Sequence, residues 1–410
     1  VEVVEIVHHA AETHTPLVPR GAGSGLSGGA AAVEGGITVA LTRMNHILEI
    51  DRANLTVTVE PGVINADLKK AVAAEGLFYP PDPASYEFCT IGGNIGTNAG
   101  GLCCVKYGVT RDAVLGLEVV LADGSVLRTG GKMVKDVAGY DLTGLMVGSM
   151  GTLGIVTQAT LRLRPAPPPK QTMLAFFPTL ESAGGAVAAM TAAGVQPCTL
   201  ELMDQATIAA VDDWHSLGLD RSAAALLLVE SDEPGEGADV DLVRAQAACE
   251  ASGATDVVRA TDPTEADWLR QVRRMAFQAL ERQGVVHMED VGVPRSRVPE
   301  MLTQIAAVAD AHELRCATFG HIGDGNLHPN FVTERGDESA GPRVHAAVEE
   351  LWRAAIELGG TVTAEHGIGL TRRSFLELQV GTDAVRVMRS IKQALDPLNI
   401  LNPGKVLPET

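Results

Sequence analysis

Four prolines fall within nine residues at RLRPAPPPK, 162–170, and regular structure is expected to stop there. A chain of 410 residues is too long for one compact core. The stiff proline run is therefore where the polypeptide should cross from one body to another. Before it, short β patterns dominate: ITVAL at 37–41, LTVTVEPGV at 55–63, LEVVLADGSVL at 117–127 and LGIVTQATLRL at 153–163. After it come longer helical patterns, PEMLTQIAAVADAHEL at 299–314 and RVHAAVEELWRAAIELG at 343–359, mixed with strands. AAALLLV, 223–229, reads as a buried strand, SDEPGEGADVD, 231–241, as a solvated acidic loop, and LDPLNILNPGKV, 395–406, as a turn-rich ending.

Glycine is concentrated on the N-terminal side. PRGAGSGLSGGA, 19–30, holds five glycines; TIGGNIGTNAGG, 90–101, holds five more beside two asparagines and two threonines; VGSMGTLGIVT, 147–157, is a third loop. Glycine lets a backbone reach φ > 0 and approach a ligand closely, so successive N–H groups can converge on an anion. Neither a Walker lysine nor the strand–GxGxxG–helix setting of a Rossmann unit is present. Three such loops before residue 165 suit a long, phosphate-containing cofactor better than turns alone.

HIGDGNLH, 321–328, frames Asp324-Gly325 with two histidines. Asp-Gly is a strong signal for a two-residue hairpin turn. With those residues central, His321 would face His328, Cβ atoms roughly 4.5–5.5 Å apart, and the two imidazoles could share a metal ion. Ile322 and Leu327 would point to the opposite, buried face.

Composition narrows the partners. A formal net charge of −19 argues against nucleic acid or an anionic membrane surface. No apolar run approaches the roughly 18 residues of a membrane-spanning helix. Six cysteines without zinc or disulfide spacing point to reduced thiols and a cytoplasmic protein, with peripheral membrane docking still open. The chain opens VEVVEIVHHAAETHTPLVP, inside an amphipathic helix and without methionine, and so reads as trimmed.

The three glycine loops, with PPDPAS at 80–85 and YGVTRDAVLGLEVVLADG at 107–124, resemble the FAD-binding domain of the vanillyl-alcohol oxidase/p-cresol methylhydroxylase fold. GHIGDGNLHPN, TAEHGIG at 363–369 and LNPGK at 401–405 narrow the likeness to FAD-linked 2-hydroxy-acid dehydrogenases of the glycolate oxidase, D-lactate dehydrogenase and D-2-hydroxyglutarate dehydrogenase type. The implied fold class is α+β. A two-part FAD-binding domain would occupy 1–165, with the family's opening segment missing upstream of Val1. An α+β substrate-capping domain would follow at 166–394, and a return to the flavin at 395–410.

The same resemblance implies roles. Arg20, Gly21, Ala22, Gly23, Ser24, Gly25 and Leu26 would cradle the FAD pyrophosphate. Gly92, Gly93, Asn94, Thr97 and Asn98 would line the cofactor in the second loop, Gly154 and Ile155 in the third, and Asn402 near the ring. No histidine lies at 20–29 for covalent attachment, so FAD is expected to be non-covalent. His321, His328 and Glu365 match the family's metal ligands, a set suited to zinc, manganese or iron. His366 matches its catalytic base, Asn330 a substrate contact, and Arg273 the carboxylate clamp, with Arg274 as the alternative. TVTA, 361–364, alternates like a strand, which would send Glu365 and His366 to opposite faces.

The implied activity is oxidation of a 2-hydroxy acid, such as D-lactate or glycolate, to the 2-oxo acid, with hydride transfer to flavin. In GSMG, Met150 stands where relatives usually have glutamate, which removes any flavin-side role of that carboxylate; Met288 lies near the place where hydroxyglutarate enzymes have lysine, which disfavours a dicarboxylate. D-2-hydroxyglutarate or a sugar acid is the alternative substrate, and a metal-dependent hydrolase the rival class. The electron acceptor would be a quinone, cytochrome, flavoprotein or iron–sulfur protein; a homodimer is compatible with the sequence.

Overall fold

The computed structural model describes residues 1–409. It divides into two compact units: Val1–Gly101 with Tyr107–Ala166 and Glu365–Thr410, and Leu102–Lys106 with Pro167–Ala364. The main crossing falls inside the proline run. The return begins at Glu365, earlier than residue 395, where the sequence placed it.

The first unit is built on a five-stranded antiparallel sheet in the order Ile47–Asp51, Thr56–Val59, Ile155–Arg162, Val114–Val120, Val126–Gly130. Along Ile155–Arg162 buried and less buried residues alternate, as in a strand with one face on a core. Val57, Val59, Leu117, Val119, Ala159 and Leu161 supply that core with Ile91 and Ile95. A second cluster joins the amphipathic opening helix Glu2–Thr13, through Val3, Val7 and Ala10, to Leu17, Ile155, Ile400 and Leu401. Leu17–Arg20 pairs in parallel with Ile37–Ala40, and Leu401 bridges to Leu17. The chain's end is thereby built into the same unit as its beginning.

The second unit holds an eight-stranded antiparallel sheet. Its main path runs Asp256–Arg259, Gln171–Phe177, Ala225–Ser231, Thr199–Asp204, Arg315–Gly320, Asn326–Thr333, Val285–Met288, and Val291–Gly292 pairs beside Asn326–Thr333. Ala225–Ser231 is buried at every position, which explains its unbroken apolar run. One sheet face, with Leu174, Phe176, Leu226, Leu228 and Phe319, packs against Leu269, Val272, Ala276 and Leu280 of the helices Pro263–Arg274 and Ala276–Glu281. The acidic stretch 231–241 is less solvated than expected. Asp232 is buried and ion-paired to Lys106 at 2.6 Å, and Gly237–Ala251 is helical. Among the described residues, no helix is long and apolar enough to cross a membrane.

Candidate functional site

The three glycine segments meet inside the first unit. A Cβ on Gly21 would lie 2.1 Å from Thr90 Oγ1 and 3.5 Å from Gly93 N, so the first segment touches the second only because residue 21 lacks a side chain. The second is not a loop. Ile91–Thr97 is a helix capped by Thr90, whose Oγ1 accepts from Gly93 N at 3.2 Å. Glycine normally costs a helix about 1 kcal/mol, but a Cβ on Gly92 would meet Pro61 Cβ at 2.5 Å, and close packing decides. Gly148 N donates to Ile95 O at 2.9 Å and Met150 N to Gly96 O at 2.8 Å, docking the third segment on that helix.

These residues divide by role. Asn94 accepts from Asn65 Nδ2 at 3.0 Å and donates to Cys89 Sγ at 3.2 Å; Asn98, at φ 54°, accepts from Arg111 N at 2.8 Å. Thr97 Oγ1 donates to Gly93 O at 3.1 Å, and Ile155 is fully buried in the core. A Cβ on Gly154 would sit 2.3 Å from Val119 Cγ1. All of these hold the fold together. In contrast, the N–H groups of Ala22, Gly23, Ser24 and Gly25 make no hydrogen bond among the described residues, with Gly23 at φ 77°. Exposed, unused N–H groups in a turning glycine segment are what an anionic pyrophosphate requires, so Arg20–Leu26 fits FAD. Asn402 is buried; its Nδ2 donates to Gly29 O at 2.9 Å and Met150 O at 2.7 Å, and Oδ1 has no hydrogen-bond partner among the described residues.

Glu365–Leu370 is laced onto the first segment. Ser27 Oγ donates to His366 O at 2.9 Å, and Leu370 N to Ser27 O at 2.7 Å. The expected strand at 361–364 is absent: only Thr361 pairs, with Gly292, and the chain then bends. Glu365 and His366 accordingly do not diverge. Glu365 Oε1 lies 3.7 Å from His366 Nε2.

The histidine hairpin of the second unit also differs from the expected register. Phe319 pairs with His328, and Asn326 N bonds to His321 O at 3.2 Å, so His321 stands in a five-residue loop rather than opposite His328. Of the Asp-Gly pair only Gly325 has positive φ, 80°. The loop is shaped by its neighbours: Val293 N donates to Gly325 O at 2.9 Å, and a Cβ on Gly325 would lie 2.1 Å from Val293 O. Ile322 and Leu327 are fully buried as expected. The rings nonetheless approach, with centroids 5.2 Å apart at 89°. His328 Nδ1 lies 3.3 Å from Glu289 O, and His321 Nδ1 2.6 Å from Glu201 Oε1. A carbonyl or carboxylate oxygen only accepts. Each Nδ1 therefore carries a proton and acts as a donor. Within the second unit, His321 and His328 thus bring together two imidazoles of the kind that ligate a metal ion.

Arg273 is 8 % exposed while Arg274 is exposed, which assigns the inward position to Arg273. Its guanidinium lies 4.4 Å from the Phe319 ring centroid, and Nη2 is 2.8 Å from Glu201 Oε2. That contact is an ion pair by distance but not an aligned hydrogen bond, and among the described residues Arg273 Nε has no hydrogen-bond partner. Arg270, one turn earlier, bonds to Glu230 at 2.7 Å. Asn330 is buried; it donates to Ala317 O at 3.1 Å and His328 O at 2.6 Å, which leaves Oδ1 as an unpaired acceptor.

Two residues escaped the sequence reading. Glu201 interrupts the apolar strand TLELMD and is buried, a signal alternation could have raised. Asp290 is fully buried: Oδ1 accepts from Asn326 Nδ2 at 2.6 Å, and Oδ2 from Thr363 Oγ1 at 2.7 Å and Ala364 N at 2.9 Å. It ties the His328 strand to the residues just before Glu365, and nothing local in HMEDVGVP signals it.

Two family models match the chain, one described as FAD binding domain over residues 1–130, the other as FAD linked oxidases, C-terminal domain, over residues 166–406. The glycolate oxidase subunit GlcD of Bacillus subtilis is 47% identical over 406 residues, covering 99% of this chain and 86% of that protein. A D-lactate dehydrogenase of Anaerostipes hadrus is 36% identical over 418 residues, covering 99% and 87%. Among solved structures, p-cresol methylhydroxylase with substrate bound superposes with a TM-score of 0.82 over 98% of this chain and 86% of its own, at 19% identity. That last likeness is one of fold.

Proposed function

The chain belongs to the FAD-linked oxidases, and from that premise we propose that it oxidises a small 2-hydroxy monocarboxylate, such as glycolate or D-lactate, to the 2-oxo acid with the help of a divalent cation. It is an FAD-dependent oxidoreductase acting on CH–OH groups. Its fold is the two-domain, p-cresol methylhydroxylase-type α+β architecture.

The observation that carries the metal reading is the pair of histidines with both Nδ1 atoms committed as donors, rings 5.2 Å apart. In this reading Nε2 of His321 and His328 and the Glu365 carboxylate hold zinc, manganese or iron. The cation supplies positive charge that eases loss of a hydroxyl proton, and bound FAD supplies the two-electron sink for the Cα–H bond. His366 takes the proton in this reading, a role suited to imidazole as a general base. Arg273 keeps an unpaired Nε donor in a buried setting, which suits a substrate carboxylate. Asn330 Oδ1 can accept from the substrate hydroxyl. Met288, paired with Asn330 across neighbouring strands, lies near the position where hydroxyglutarate enzymes carry lysine, and this supports a monocarboxylate.

The test is an anaerobic flavin-bleaching screen over D- and L-2-hydroxy acids, with metal analysis of the same protein. Yellow protein that releases intact FAD on denaturation and bleaches with glycolate or D-lactate is expected. His328→Ala should slow bleaching roughly 10²–10³-fold, the several kcal/mol a cation contributes. Wild-type rate in that variant removes the metal from the reaction; colourless protein favours the hydrolase.

A further inference from the structure

We infer that Glu201 is a positioning residue that sets two working groups at once, the His321 ring through one carboxylate oxygen and the Arg273 guanidinium through the other. The inference rests on the function proposed above and names a residue that reading does not use.

Glu201 lies on Thr199–Asp204 and is 1 % exposed. Cross-strand pairing puts it opposite Leu228, on the sheet face that otherwise forms an apolar core with Leu226, Leu174 and Phe319. An ionised carboxylate there is costly unless each oxygen is compensated. One oxygen meets His321 Nδ1 at 2.6 Å, the other Arg273 Nη2 at 2.8 Å. The first contact fixes which ring nitrogen carries the proton and so which can bind a cation, the usual role of a carboxylate behind a ligating histidine. The second, with the Phe319 ring 4.4 Å below the guanidinium, limits Arg273 to one orientation and leaves Nε unspent.

A buried ion pair that only stabilises the fold is the competing explanation, and the molecule contains one for comparison. Glu230, on the adjacent strand opposite Thr199, is fully buried and bonded to Arg270 at 2.7 Å and Lys170 at 3.0 Å, and among the described residues it makes no hydrogen bond or ion pair with His321, His328 or Arg273. Glu201→Gln keeps shape and one acceptor but loses the charge. In FAD-loaded protein, this variant should weaken Mn²⁺ or Zn²⁺ binding roughly 10–100-fold in chelator competition and raise KM for the best 2-hydroxy acid. Glu201→Asp should recover part of both. Glu230→Gln should lower Tm and leave metal affinity and KM where they were. Folded Glu201→Gln protein with wild-type metal affinity and KM overturns the inference alone. Wild-type protein that takes up neither ion in equilibrium dialysis overturns the metal-assisted reading, and this inference with it.

Discussion

Arg273 and Arg274 are neighbours in LRQVRRMAF with opposite fates, one buried over Phe319 and one exposed. The sequence could nominate either; only the rotation of the helix about its axis, set by Leu269 and Val272 facing the core, selects the first. Asp204 shows the same dependence on surroundings. Burial pushes its carboxyl up to about 6 from an ordinary value of 3.8, against hydrogen bonds from Thr207 N at 2.8 Å, Thr207 Oγ1 at 2.7 Å and Thr318 N at 2.6 Å. The folded state thus holds this proton more tightly than the unfolded chain. Its contribution to stability is fully present below pH 3.8 and is lost as pH rises through about 6. Asp204→Asn, which still caps the helix Gln205–His215, should flatten the fall of Tm between those values. A slope unchanged in the variant would assign it to another group.

At the scale of elements, the long periodic segments were legible and the irregular ones were not. The helices Val298–Ala311 and Ala340–Glu357 and the strand Ala225–Ser231 appear where apolar periodicity put them, because each is buried through a regular pattern. Ile91–Thr97 was hidden by its glycines and the hairpin turn by a plausible Asp-Gly, since both are set by contacts with distant residues, Pro61 and Val293. Glycine content therefore predicts opposite responses at two positions. Gly369→Ala should destabilise the protein by roughly 1–3 kcal/mol, because φ is 51° and the new Cβ would lie 2.0 Å from Ser27 O. Gly185→Ala, in the helix Leu180–Ala192 with nothing within 4 Å, should add about 0.5–1 kcal/mol. Denaturant midpoints of the two variants, moving the same way, would contradict this account.

Across the whole molecule, the first unit depends on its last residues. Leu401 bridges to Leu17, Asn402 N donates to Leu17 O at 2.7 Å, and the Asn402 amide bonds to carbonyls of the first and third glycine segments. Deleting 396–410 should therefore release flavin and open the first unit to limited proteolysis. Peptides from 167–364, whose eight-stranded sheet uses none of those residues, should persist. Equal loss of both sets of peptides would show that the terminal segment supports the whole chain.

The amino-acid sequence by itself determined the crossing at the proline run, the glycine segments, the histidine pair and, by resemblance, the cofactor and reaction class. These are carried by residue types whose chemistry is local: proline and glycine constrain their own backbone, and two histidines around a short turn are near one another by sequence alone. The tertiary structure alone decided which arginine turns inward, that Glu365 and His366 converge, that Phe319 rather than His321 pairs with His328, that Glu201 meets His321, and that Asp290 bonds to Ala364. Each of those outcomes joins residues far apart in the chain, and a buried carboxylate reveals its role only through the partners that packing brings to it.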